Sequence, residues 1–171
     1  MKSIEPIKIV YDKSLREVLF NDFKSIGKEL PIKGGWGYTK EEAILIDKAD
    51  PIVSEWQPFN FVAIEYLIAE KRIFEEMIIF RAKGDKFRNI KIDLDKQSLL
   101  TSVEGNSYDM LIFNVSAFHD KDFDLIEQEL FEEMKTKEMN FDVFFESKNH
   151  LRYNYKSEFW FDITSSFKPI S

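Results

Sequence analysis

The chain contains no cysteine, and only two of its 171 residues are histidine. The lack of cysteine excludes a thiol nucleophile and a disulfide framework. A structural zinc site needs four Cys or His ligands, which two histidines cannot supply. No Gly-x-Ser-x-Gly elbow accompanies His119 or His150, and we interpret both as surface residues. We therefore expect no catalytic residue, no metal and no cofactor.

Long hydrophobic runs are also lacking. The densest apolar stretch, Phe59 to Phe80, is interrupted by six charged residues. The segment Met1 to Pro6 has no apolar region that resembles a signal peptide. We therefore expect no membrane span and a cytoplasmic location, to which the absence of cysteine also points.

Basic residues are in the minority: the chain has 24 basic and 31 acidic residues, which gives a net charge of −7. This balance argues against nucleic-acid binding, in which neutralised phosphates supply most of the affinity. It is compatible with a basic protein partner, although solubility alone explains a charge of this size.

Aromatic residues are plentiful: 17 Phe, 6 Tyr and 3 Trp. They supply a core for one globular domain spanning residues 1–171, because no repeat or linker divides the chain. Some segments have apolar residues at helical spacing and others alternate apolar and polar residues, which together predict an α+β fold. We expect a mainly antiparallel sheet with two or three amphipathic helices packed on it.

Two amphipathic helices are predicted from caps and apolar spacing. Ser14 and Glu17 have capping-box spacing, and the apolar pattern that follows predicts a helix at about 14–28. Asp120 or Asp122 caps a second helix that runs to about Lys137. The predicted buried stripe of this second helix contains Phe123, Ile126, Leu130 and Met134.

The segment from Phe59 to Phe80 has two interpretations. We favour a helix to about Glu76 followed by a strand. Strands at Phe61–Ile68 and Met77–Arg81 are the alternative, because periodicity does not separate the two for so apolar a run.

Other runs predict strands, with a turn at Glu104-Gly105-Asn106. These β-prone runs are Ile7–Tyr11, Ala43–Ile46, Ile90–Leu94 and Tyr108–Phe118. Apolar residues on both faces of the last run favour a central strand. Three more runs predict a final antiparallel meander: Phe141–Glu146, Leu151–Lys156 and Phe159–Ile163.

One arrangement is compatible with hydrolysis. Glu146-x-Lys148 ends a predicted strand that begins near Asp142, and an acid-x-Lys pair of this kind occurs in metal-dependent nucleases. Similar pairs arise by chance in so charged a chain. A metal-dependent nuclease or other hydrolase using these three residues is therefore an alternative to a binding function.

Gly34-Gly35-Trp36-Gly37-Tyr38 predicts a tight loop, and its spacing does not fit a phosphate-binding loop. We favour a core position for Trp36 and Tyr38. The alternative is that they anchor a partner, because Trp and Tyr are enriched in binding hot spots.

Several stretches resemble the immunity proteins of contact-dependent growth-inhibition and other polymorphic toxin systems of bacteria. The likeness spans about residues 34–123 and contains no catalytic signature. Its matching stretches are Gly34–Ala43, Ile64–Tyr66, Glu70–Arg81, Tyr108–Phe118 and Asp120–Asp122.

This resemblance implies a protein that binds and neutralises a cognate toxin domain, one with nuclease activity and a basic cleft. An acidic inhibitor then takes the place of phosphate by pairing carboxylates with Arg and Lys. The candidate contacts are Glu129, Glu132 and Glu133, with Trp36 and Tyr38 as anchors. A solvated helix face is the plainer interpretation of these acids, and a regulatory interaction module is a further alternative function.

Overall fold

A mixed six-stranded sheet is the centre of the structure, a computed structural model that describes residues 2–24 and 27–167. Most strand pairs are antiparallel, so the predicted α+β class is confirmed, with more helices than expected. The strands are β1 (Lys2–Ser3), β2 (Ile32–Gly34), β3 (Ile44–Ile46), β4 (Phe87–Thr101), β5 (Ser107–His119) and β6 (Tyr153–Asp162). The α-helices are α1 (Leu15–Asp22), α2 (Phe61–Phe74), α3 (Asp120–Met134), α4 (Phe141–Ser147) and α5 (Thr164–Phe167). Two short 3₁₀ helices lie at Pro51–Glu55 and Asn149–Leu151.

The strands lie in the order β2-β3-β6-β5-β4, with β1 also beside β6. Strand β5 pairs antiparallel with β4 and with β6, so the predicted central strand is confirmed. The predicted turn at 104–106 joins β4 to β5. Strands β1 and β3 run parallel to β6. Strand β4, at the end of the order, has an open edge within the described residues.

The two faces of the sheet are covered by different helices. On β5, alternate residues Leu111, Phe113, Val115 and Ala117 join the main core with α2. The next residue, Phe118, instead joins a smaller cluster with α3 and α4. Since neighbouring strand residues point to opposite faces, α2 and the α3–α4 pair lie on opposite sides of the sheet.

The predicted helix starts are confirmed, and their ends are earlier than predicted. The predicted cap of the second helix is wrong, because His119 and not Asp120 or Asp122 caps α3; the two aspartates lie in its first turn. At α1, the Oγ of Ser14 accepts from the backbone N–H of Glu17, whose carboxylate accepts from that of Ser14. This helix ends at Asp22, and residues 25 and 26 of its predicted end lie outside the described part. Helix α3 ends at Met134, whose side chain is 46% exposed rather than buried.

Residues 61–79 are helical throughout, which confirms the favoured interpretation as far as Glu76. The expected strand after Glu76 is wrong, because α2 continues as a π-helix at Glu75–Ile79. The N–H of Phe80 donates to the carbonyl of Glu75, five residues earlier, at 2.9 Å. Among the residues that the structure describes, no helix is both long enough and apolar enough to cross a bilayer.

One predicted strand is wrong, and the predicted final meander is wrong in part. Residues 7–11 form no strand, because the N–H of Ile9 donates to the Tyr38 hydroxyl rather than to a neighbouring strand. The final meander is a helix and one long strand. Phe141–Glu146 lies in α4, and the two later runs merge into β6, which pairs along its length with β5.

Candidate interaction surface

Helices α3 and α4 form a unit held by its own apolar cluster. The Nδ1 of His119 caps α3 by accepting from the N–H of Lys121 at 3.3 Å. The side chain of Asn140 caps α4 by accepting from the N–H of Val143 at 3.2 Å. The buried members of the cluster are Phe118, Ile126, Leu130 and Phe144.

The segment that contains α3 and all but the last residue of α4 carries all the net charge of the chain. Residues 120–146, here called the acidic segment, contain ten acidic and three basic residues, a net charge of −7. The other residues hold 21 acidic and 21 basic side chains and are therefore balanced. Within the described residues, three cations from outside the segment, Lys2, Arg88 and Lys148, pair with its carboxylates, which still leaves a surplus of negative charge on this side of the sheet.

The acidic segment also exposes large apolar side chains. Five of them keep 46 to 65% of their surface in contact with solvent. They are Leu125, Phe131 and Met134 of α3 with Phe141 and Val143 of α4. Apolar side chains grouped with polar ones on a surface are typical of protein–protein contacts.

The three glutamates singled out in the sequence each have a lysine partner within the chain. Lys135 lies 2.7 Å from Glu132, and Lys137 lies 3.0 Å from Glu133. Glu129 pairs with Lys148, which follows α4. The structure thus brings these glutamates together on α3, with their charges partly compensated.

The three residues of the hydrolase alternative take different positions from those expected. Asp142 and Glu146 lie one turn apart on the exposed side of α4, because this run is helical rather than extended. Lys148 is engaged by Glu129 and not by either α4 carboxylate. In residues 2–24 and 27–167, no three His, Asp or Glu side chains converge as a metal site requires.

Trp36 and Tyr38 lie on the other side of the sheet and are partly buried. The Tyr38 hydroxyl donates to Glu76 at 2.8 Å and accepts from the N–H of Ile9 at 3.0 Å. Burial raises the pKa of the Tyr38 phenol above its usual range. The ring of Trp36 meets Phe80 edge to face, with centroids 6.4 Å apart. The structure therefore separates this aromatic pair from the α3 glutamates.

A buried arginine, which the sequence analysis did not single out, organises the region around Tyr38. The Nε of Arg72 lies 3.0 Å from Glu76, and its Nη1 donates to the carbonyl of Trp36 at 2.6 Å. Its guanidinium stacks over Phe159 at 3.5 Å. The only sequence signal is an Arg and a Glu four residues apart in an apolar helix. This network ties α2 to the loop before β3 and to β6.

Two buried carboxyl groups, Glu65 of α2 and Asp109 of β5, lie close together. Glu65 is fully buried, and neither of its carboxyl oxygens has a hydrogen-bond partner. Asp109 of β5 is also buried and accepts from the Nε2 of Gln97 at 2.6 Å. Burial, with the nearby Asp109 carboxyl second, raises the pKa of Glu65 to about 8. Glu65 is therefore protonated in the folded protein at neutral pH.

An apolar groove of about 320 Å³ runs between α2 and the edge strand β4. Its apolar lining residues are Tyr66, Phe74, Ile90, Ile92, Leu94 and Phe113. Glu70 is the only charged residue of this lining, so the groove lacks the charge of the acidic segment.

Comparisons with protein-family models, with curated proteins and with solved structures found no match to this chain.

Proposed function

We propose that this protein binds and inhibits a toxin domain that has a basic surface, using the acidic segment as its contact surface. One observation carries the proposal: the segment holds the whole net charge of −7 and exposes five large apolar side chains. Charge concentrated on one side steers a basic partner towards that side. Apolar area then supplies affinity once the two surfaces meet.

Inhibition of a nuclease follows from the chemistry of its cleft. Nuclease clefts use Arg and Lys side chains to hold phosphate groups, and carboxylates form charge-assisted hydrogen bonds with the same cations. A protein that fills such a cleft with carboxylates denies it to nucleic acid. The resemblance of residues 34–123 to immunity proteins supports this mode of action.

Co-expression with the protein encoded immediately upstream tests the proposal. The C-terminal domain of that protein, expressed alone in a bacterial host, should arrest growth, and this chain should restore it. Glu104→Lys, at the exposed β4–β5 turn outside the acidic segment, is the control and should protect as well as the original chain. Growth arrest that persists in the presence of this chain would refute the proposed function.

A further inference from the structure

We infer that the contact with the basic partner centres on α4 and the loop before it, and not on the three glutamates of α3. This inference rests on the proposed function and deepens it. The α4 surface, as we call it, consists of Glu138, Phe141, Asp142, Val143 and Glu146. The partner that fits it is a protein surface on which Arg or Lys side chains flank an apolar one.

The first argument is electrostatic. Glu129, Glu132 and Glu133 already hold lysines, so a partner cation exchanges one ion pair for another there and gains little. Glu138, Asp142 and Glu146 are exposed and form no ion pair within the described residues. A partner cation that meets one of these three carboxylates therefore forms a new pair.

The second argument concerns apolar contact. Val143 follows Asp142 on α4 and is 60% exposed, while Phe141 at the helix start is 49% exposed. Beside them, a cleft of about 290 Å³ opens between α4 and the end of α3. Met139 and Phe144 contribute apolar walls to this cleft, Glu138 contributes a carboxylate, and Glu133 lines it while paired with Lys137. The stem of an Arg or Lys side chain fits the apolar part while its cation meets the Glu138 carboxylate.

The third argument is that the α4 surface is preorganised. Asn140 caps the helix, and Phe144 packs into the cluster with Phe118, Ile126 and Leu130. The ring of Phe145 stacks parallel to that of Phe123 at 6.2 Å. Because the helix is already ordered, its binding costs little conformational entropy.

A basic peptide locates this surface without knowledge of the partner. We would titrate the ¹⁵N-labelled chain with nona-arginine at low salt and follow the amide chemical shifts. The largest changes should fall on residues 138–147 and disappear at high salt, since the contact is electrostatic. Larger changes on residues 124–133, or along the groove beside β4, would overturn the inference.

Matched variants complete the test. Asp142→Asn with Glu146→Gln should weaken peptide binding at least about fivefold, since two unpaired carboxylates are lost. Glu129→Gln with Glu132→Gln removes the same charge from α3 and should change it less than about twofold, because those carboxylates are already paired. The reverse order would refute the inference.

The upstream-encoded toxin domain separates the inference from the proposed function. If the original chain binds this domain, Val143→Ser together with Asp142→Asn should raise the Kd at least about tenfold, because hot-spot contacts are lost. Unchanged affinity of that variant would refute the inference and leave the function standing. If the original chain does not bind the domain, the proposed function falls, and the peptide titration still decides whether the α4 surface recognises cations.

Discussion

Glu65 shows how a single residue makes the stability of this fold depend on pH. In the unfolded chain its carboxyl ionises near pH 4.5, whereas in the folded chain its pKa is about 8. Between these values the folded chain holds a proton that the unfolded chain releases. The free energy of unfolding therefore falls as the pH rises from about 4.5 to about 8.

Glu65→Gln should remove the part of this loss that Glu65 contributes, because the amide is neutral at every pH and can donate to Asp109. The buried Glu75, whose pKa is also raised to about 8, keeps its own contribution. We expect the variant to be more stable than the original chain at pH 8 by about 1–3 kcal/mol, with little difference at pH 5. Urea unfolding at the two pH values measures the difference.

Glu70→Gln is the matched control, since Glu70 lies on the same helix but is exposed. Its stability should follow that of the original chain at both pH values. A Glu65→Gln variant that is equally destabilised at pH 5 and pH 8 would contradict the assignment of a protonated carboxyl.

At the scale of elements, α3 and α4 depend on a cluster that is separate from the main core. Among residues 2–24 and 27–167, that cluster has four buried members, against 20 in the main core. Fewer buried apolar side chains hold these helices, so we expect them to open by themselves without unfolding of the sheet.

Phe144→Ala tests this separation. Loss of a buried phenyl ring should lower the free energy of unfolding by about 3–5 kcal/mol. The smaller cluster, which contains Phe144, should be destabilised first. Hydrogen exchange should accelerate in residues 120–147, while α2 and β5 keep the protection of the original chain.

Leu19→Ala removes a side chain of the main core. This variant should accelerate hydrogen exchange across the sheet, which Phe144→Ala should leave protected. If Phe144→Ala accelerates exchange equally in α2 and β5, the two clusters form one cooperative unit and the expectation is wrong.

At the scale of the whole molecule, the position of the negative charge matters more for association with a partner than the total charge does. Outside the acidic segment the chain is electrically balanced, so the negative potential points from one side of the sheet. Under the proposed function, a basic partner would be oriented before contact, which would raise its association rate.

Salt should weaken this steering. We expect the association rate constant with the upstream-encoded domain to fall about tenfold between 0.05 and 0.5 M salt, because the Debye length shortens from above 10 Å to below 5 Å. Stopped-flow fluorescence measures it, and the dissociation rate constant should change much less. An association rate that does not depend on salt would contradict a role for the acidic segment in steering.

Local chemistry in the sequence determined several parts of this protein. The Ser14–Glu17 capping box started α1, and the acidic residues after His119 marked the start of α3. The glycine turn at 104–106 and the apolar residues of both faces identified β5 as a central strand. These features were predictable because each depends on residues that are neighbours in the chain. The concentration of charge in residues 120–146 is likewise a property of the sequence alone.

Only the tertiary structure decided the rest. Phe141–Glu146 is rich in β-prone residues, yet Asn140 caps it and Phe144 packs against Phe118, so it is a helix. The same packing exposes Asp142 and Glu146 on one side. Likewise, Ile9 bonds to Tyr38 and not to a strand, and the lysines that pair with the α3 glutamates became known only from their contacts. Each of these outcomes depends on partners distant in the chain or on side-chain positions, which local patterns do not encode.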